Sequence, residues 1–129
     1  MTEVSGKWIL VVEDDEYINK AYAAKFEHEG IKAQFAMDGE EALKLLTAAG
    51  GNPPSLILLD LMLPRRNGFE VLNDLKADAT FKSIPVIVLT NLGQETDAKR
   101  GLDLGAVEYL VKADTKIVDI LAKVSKYLA

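Results

Sequence analysis

The chain has no cysteine and a single histidine, His28, among its 129 residues. Those absences exclude disulfides, thiolate nucleophiles and cysteine-based metal sites, and one imidazole cannot build a histidine-rich metal centre. No apolar run approaches the roughly 18 residues that a bilayer-spanning helix needs. The amino-terminal Met1-Thr2-Glu3-Val4-Ser5-Gly6-Lys7 is short and polar, without the apolar centre of a signal peptide. A basic excess is missing too. The formal net charge is −5, which leaves nothing to neutralise nucleic-acid phosphates, and no lysine or arginine block reads as a membrane patch. The expectation is a cytoplasmic chain with no direct nucleic-acid contact and no membrane contact. Internal repeats and low-complexity segments are also lacking.

What is present is a regular alternation of two hydrophobic periods. Ile9-Leu10-Val11-Val12, Leu56-Ile57-Leu58-Leu59 and Val86-Ile87-Val88-Leu89 are apolar throughout, as strands covered by helices on both faces are. Ile31, Ala33 and Phe35 alternate with Lys32 and Gln34, which suits an edge strand. Between these runs lie helical spacings. Ile18, Ala21, Tyr22, Lys25 and Phe26 lead to a stop at Gly30, and Ala42, Leu45, Leu46 and Ala49 follow a capping-box pattern opened by Asp38. Asn67 and Glu70 repeat the cap spacing ahead of Phe69, Leu72 and Leu75. The least apolar helix spans about Gly93 to Gly101. Asp114 or Thr115 is expected to cap a last helix with the stripe Ile117, Ile120, Leu121, Val124 and Leu128. Five βα units in a chain of this length predict one doubly wound α/β sandwich, with the whole of 1–129 as a single domain and a core of about 7–128. No further domain is visible in the sequence after the last helix.

The ends of the strands carry the chemistry. The first runs into Glu13-Asp14-Asp15, the third into Asp60, the fourth into Thr90, and Tyr109-Leu110-Val111 into Lys112. In an open parallel sheet the carboxyl ends share one edge, where ligands bind. Clustered carboxylate oxygens without nitrogen or sulfur ligands suit Mg²⁺, and they repel one another unless a cation is present. Lys112 adds a positive charge and Thr90 a hydroxyl donor, a set fitted to a phosphoryl group, and an aspartate in such a site can act as its nucleophile. Taken singly, each residue has a plainer reading as a helix start, a strand-end cap or a solvent-facing charge. Their joint placement favours a site.

The chain resembles the receiver domain of two-component response regulators. The matching segments are Val11-Val12-Glu13-Asp14-Asp15, Asp60-Leu61-Met62-Leu63-Pro64, Asn67-Gly68-Phe69-Glu70, Pro85 through Thr90, and Gly105-Ala106 through Lys112. The resemblance spans about Lys7 to Leu128. It implies a flavodoxin-like (βα)5 fold with a central five-stranded parallel sheet in the order 2-1-3-4-5. It implies that Asp60 accepts a phosphoryl group from a phosphohistidine on a histidine kinase or a histidine phosphotransfer protein. Asp14 and Asp60 would ligate Mg²⁺ through carboxylates, Met62 through its main-chain carbonyl, and Glu13 through a bound water. Lys112 would contact the phosphoryl group. Thr90 would hydrogen-bond it, and movement of that hydroxyl would let Tyr109 swing inward. The face formed by the fourth helix, fifth strand and fifth helix would then change and control an unknown downstream protein. Such a chain would be a switch and not a turnover enzyme, either a monomer or a weak phosphorylation-dependent dimer.

Four departures from the family pattern stand out. Ala113 replaces the usual proline after Lys112, Asn91 is larger than the usual residue after Thr90, Arg65 and Arg66 fill a loop that is usually less basic, and the Gly50–Pro54 turn is slightly long. Met62 and Leu92, each two residues after a site residue, flank the path of attacking water in this family and cannot orient it. A long-lived acyl phosphate is therefore expected. The rival reading is an aspartate-nucleophile phosphatase or phosphotransferase of the haloacid-dehalogenase type. It would place a second aspartate where this chain has Met62, and it would need cap insertions. A flavin-binding module would need a phosphate loop where Glu13-Asp14-Asp15 would repel the phosphate.

Overall fold

Three apolar runs form the middle of the sheet because their residues can be buried on both faces. The computed structural model describes residues 6–129, so the reading of Met1 to Ser5 lies outside the described residues. The elements are β1 (Ile9–Val12), α1 (Glu16–His28), β2 (Ala33–Ala36), α2 (Gly39–Ala49), β3 (Leu56–Leu59), α3 (Gly68–Ala77), β4 (Val86–Thr90), α4 (Glu95–Asp103), β5 (Glu108–Val111) and α5 (Ile117–Leu128). The strands form one five-stranded sheet in the order β2-β1-β3-β4-β5, and every pairing is parallel.

Alternation along the central strands divides the core into two layers. Leu10, Val12, Ile57, Leu59, Val86 and Val88 point to one face, packed with Leu46 of α2 and Phe69, Leu72 and Leu75 of α3. Ile9, Val11, Leu56, Leu58, Ile87 and Leu89 point to the other, packed with Tyr22 and Phe26 of α1 and Ile120 and Val124 of α5. Each buried leucine or isoleucine side chain stabilises the fold by about 1.5–3 kcal/mol. The edge strands differ as their sequences do. β2 exposes Gln34 and half-buries Ala33 and Phe35, and all four residues of β5 are half-buried.

Register sets the site. Val12 pairs with Leu59, so Glu13 and Asp60 each stand one residue beyond a matched pair, while Thr90 pairs with Val111 and Lys112 follows directly.

The helix starts bear out some expectations and correct others. Asn67 and Glu70 form a full capping box at α3. Asp38 does cap α2, accepting from the Glu41 amide at 2.8 Å, but the Glu41 carboxylate turns back to the amide of Met37, not to that of Asp38. The expected cap of α5 by Asp114 or Thr115 is not formed. Lys112–Asp114 wind into a 3-10 turn and the Thr115 hydroxyl donates to the Val111 carbonyl at 2.8 Å. Lys116 therefore stands at the cap position without a side-chain bond. Helix α4 runs two residues later than the expected Gly93 to Gly101, from Glu95 to Asp103. No cis peptide occurs among the described residues, so the Lys112–Ala113 bond is trans.

Candidate functional site

Three carboxylates meet at the carboxyl edge of the sheet. Oxygens of Glu13, Asp14 and Asp60 all lie within 4.8 Å of one another, with Glu13 and Asp60 buried and Asp14 exposed. Lys112 crosses from the end of β5 and donates to Asp60 Oδ2 at 2.8 Å and to Glu13 Oε1. Lys112 thus neutralises one charge of three and contacts only Glu13 and Asp60, and the excess negative charge is what a divalent cation would balance. The donor set is all oxygen, which fits Mg²⁺ and similar hard ions.

The second oxygen of Asp60 is held differently. Oδ1 accepts from the Thr90 hydroxyl at 2.8 Å and from the Met62 amide at 3.0 Å, while the Asp60 amide donates to the Val12 carbonyl at 3.0 Å. The loop after Asp60 closes through Gly68, whose amide donates to the Leu61 carbonyl at 2.8 Å. A Cβ on Gly68 would lie 2.4 Å from the Asp60 carbonyl oxygen, so only glycine permits that approach. Arg65 adopts φ 67° in the same loop, and its guanidinium donates to Asp38 Oδ2 at 2.8 Å.

Burial opposes charge on Glu13, and although the Lys112 bond and the Asp15 amide favour the ionised form, the pKa is raised, with the Asp60 charge adding to the rise. Burial also works against the Lys112 ammonium, yet its bonds to Asp60 and Glu13 outweigh that penalty and raise its pKa. Lys112 is therefore charged at neutral pH.

A hydrogen-bonded path leads away from the carboxylates. The Leu92 amide reaches Thr90 Oγ1 at 3.4 Å, and the Tyr109 hydroxyl donates to the Leu92 carbonyl at 2.6 Å. The Tyr109 ring lies against Gly101 of α4, where an added Cβ would come within 2.9 Å of it. Burial, and then the charges of Asp97 and Asp60, push the Tyr109 phenol up to about 12.

The structure thus brings together Glu13, Asp14, Asp60, Thr90 and Lys112, with Met62 adjoining and Tyr109 linked through Leu92. Asp15 is the exception. Its carboxylate caps α1, accepting from the amides of Tyr17 at 2.9 Å and Ile18 at 3.2 Å, and is not one of the three clustered carboxylates. Sequence reasoning gave no role to Asn19, and it did not foresee the pairing of Arg65 with Asp38 or the contact of Gly101 with Tyr109. Only the glycine inside a helical pattern carried a local signal.

Comparison with known proteins agrees with this geometry. The family model described as the response regulator receiver domain matches residues 9–124. The DNA-binding dual master transcriptional regulator RpaA of Synechocystis is 38% identical over 120 residues, covering 93% of this chain and 48% of that protein. The chain spans about half the length of the curated relatives it matches. Among solved structures, the receiver domain of the Francisella response regulator 1452 superposes with a TM-score of 0.82 at 31% identity, covering 95% of this chain and 96% of that one. The Mn²⁺-bound form of response regulator Rcp1 gives 0.78 at 31% identity, covering 93% and 90%.

Proposed function

Because the chain belongs to the response regulator receiver domain family, we propose that it is a phosphorylation switch in which Asp60 is the acceptor. The observation that carries this reading is Asp60 itself, buried to 6% exposure and held on one oxygen by Thr90 and on the other by Lys112. An Asp60 carboxylate oxygen attacks the phosphorus of a phosphohistidine, the P–N bond breaks as the P–O bond forms, and the imidazole leaves with the electron pair. Lys112 and the Thr90 hydroxyl stand where the incoming phosphoryl oxygens need a cation and a donor. Glu13, Asp14, Asp60 and the Met62 carbonyl are the ligands assigned to Mg²⁺, which would supply charge neutralisation; the Mn²⁺-bound form of Rcp1 supports a divalent ion here.

The donor is a histidine kinase or a histidine phosphotransfer protein. An apolar groove of about 560 Å³ between α1 and α5, lined by Ile18, Ala21, Tyr22 and Ile117 and opening beside Lys112, is the surface for it. Readout runs from Thr90 through Leu92 to Tyr109 and so to the α4, β5 and α5 face, which exposes Leu102, Val107 and Val118 to a downstream protein. Residues 1–129 act as one receiver domain with its core at about 7–128. It works in the cytoplasm, makes no direct nucleic-acid contact, and is a monomer or a weak phosphorylation-dependent dimer. No described helix is long and apolar enough to cross a membrane.

Labelling with a small acyl-phosphate donor tests switch against enzyme. Incorporation that saturates at one phosphoryl group per chain and requires Mg²⁺ supports the switch, whereas continuous release of phosphate over many turnovers contradicts it.

A further inference from the structure

Asn19 is the one polar side chain of α1 that is buried, at 8% exposure. Its amide nitrogen donates to the Glu13 main-chain carbonyl at 2.8 Å and contacts Met37 Sδ at 3.5 Å. Both neighbours of that nitrogen are acceptors, so the opposite orientation would set oxygen against oxygen and is excluded by the network. The remaining atom, Oδ1, is buried and meets no donor. A buried acceptor without a partner costs stability, and an apolar side chain of the same size would avoid that cost.

The bond that Asn19 does make falls on a particular peptide. The Glu13 carbonyl belongs to the peptide unit joining Glu13 to Asp14, two of the three clustered carboxylates. The plane of that peptide sets the directions in which both side chains leave the backbone. The turn is tied on either side, by the Asn19 amide donating to the Asp15 carbonyl at 3.0 Å and the Glu13 amide donating to the Ala36 carbonyl at 2.9 Å. Across the Glu13–Asp14 peptide itself, the Asp15 amide donates to the Glu13 carboxylate at 3.0 Å, and Asn19 supplies the bond to the peptide's own carbonyl. Met37 on its far side begins the turn whose next residue, Asp38, holds Arg65 of the acceptor loop.

We infer that Asn19 is a positioning residue for metal binding: its carboxamide orients the Glu13–Asp14 peptide so that both carboxylates converge on the cation. This rests on the receiver reading, because the cation is the one that reading assigns. Groups that orient metal ligands without touching the metal commonly change its affinity by roughly 10–100-fold when removed.

Calorimetric titration with MgCl₂ alone, on the unphosphorylated full chain, tests the inference with Asn19→Leu. The expected result is Mg²⁺ binding weakened about tenfold, while thermal stability in chelator stays near the parent value, because removing the unmet Oδ1 offsets the Glu13 carbonyl that loses its donor. Asn19→Ala is the second variant should leucine be refused by the fold, with the same loss of affinity expected. Parent-like Mg²⁺ affinity in a folded variant, whatever its thermal stability, overturns the inference and leaves the receiver reading standing. A parent chain that binds no Mg²⁺ overturns both.

Discussion

Asp60 has a different partner on each oxygen, the Thr90 hydroxyl on Oδ1 and the Lys112 ammonium on Oδ2. The lifetime of the phosphorylated form is expected to depend on two apolar side chains near Asp60. Met62 is 55% exposed beside the acceptor and Leu92 is half-buried, and neither can orient water for attack on an acyl phosphate. Met62→Asn is expected to shorten that lifetime severalfold, measured as loss of label after removal of the donor. An unchanged lifetime would refute that role. At Tyr109, the folded chain holds the phenolic proton more tightly than the unfolded chain does, since its pKa is raised from 10.0 to about 12. The resulting stability is present below pH 10 and is lost as pH rises from 10 through about 12. Tyr109→Phe should flatten that part of the alkaline stability profile relative to the parent, and identical profiles would contradict the burial of the phenol. Asp60, Glu13, Thr90 and Lys112 were legible in the sequence because each directly follows or ends an apolar run, and Asp14 because it stands one residue further on. Asn19 was not, because a lone asparagine at a helical position gives no sign of the carbonyl above it. Asp15 was legible as an acid but not as a cap, since only the backbone after β1 decides which carboxylate turns toward the helix.

Among the elements, the loop from Asp60 to α3 is held tightly at Gly68. Gly68→Ala would bring a Cβ within 2.4 Å of the Asp60 carbonyl oxygen and 2.5 Å of Leu61 Cα, both of them backbone that cannot rotate away. A destabilisation of about 1–3 kcal/mol is expected, as for overpacked sites, together with slower phosphorylation because the shift falls on the acceptor. Denaturant unfolding and labelling rate check the two effects, and a variant matching the parent in both would show the loop to be slack. Helix α3 was readable because Asn67 and Glu70 are both polar and correctly spaced. The start of α5 was not. Asp114 and Thr115 are good caps by type, but the chain first winds into a 3-10 turn over Lys112–Asp114, which takes up Asp114 and leaves Thr115 one residue short of the cap position at Lys116. The exposed Arg65–Asp38 pair contributes little stability by itself. Its consequence is local, since it joins the acceptor loop to the start of α2.

For the whole molecule, the sheet order puts every reactive group at one edge. β1 and β3 lie side by side, β4 adjoins β3 and β5 adjoins β4, so residues far apart in sequence meet around Asp60. That architecture was legible because three strands are apolar on both faces and two are not, which separates centre from edge before any coordinate is known. The excess of carboxylate over ammonium at that edge was legible only in part, because the number of acids that converge depends on the turn after β1. A cation that binds the folded chain alone adds about 2.7 kcal/mol of stability at a hundredfold excess over its Kd. Thermal unfolding should therefore move upward with Mg²⁺ in the parent and less in Asn19→Leu, and a midpoint indifferent to Mg²⁺ would count against the site. The most direct test of the central claim is intact mass after incubation with a small phosphodonor and Mg²⁺, for the parent and for Asp60→Asn. One added phosphoryl group on the parent and none on the variant is the predicted result; a parent without the added mass, or a variant that carries it equally, would contradict Asp60 as the acceptor.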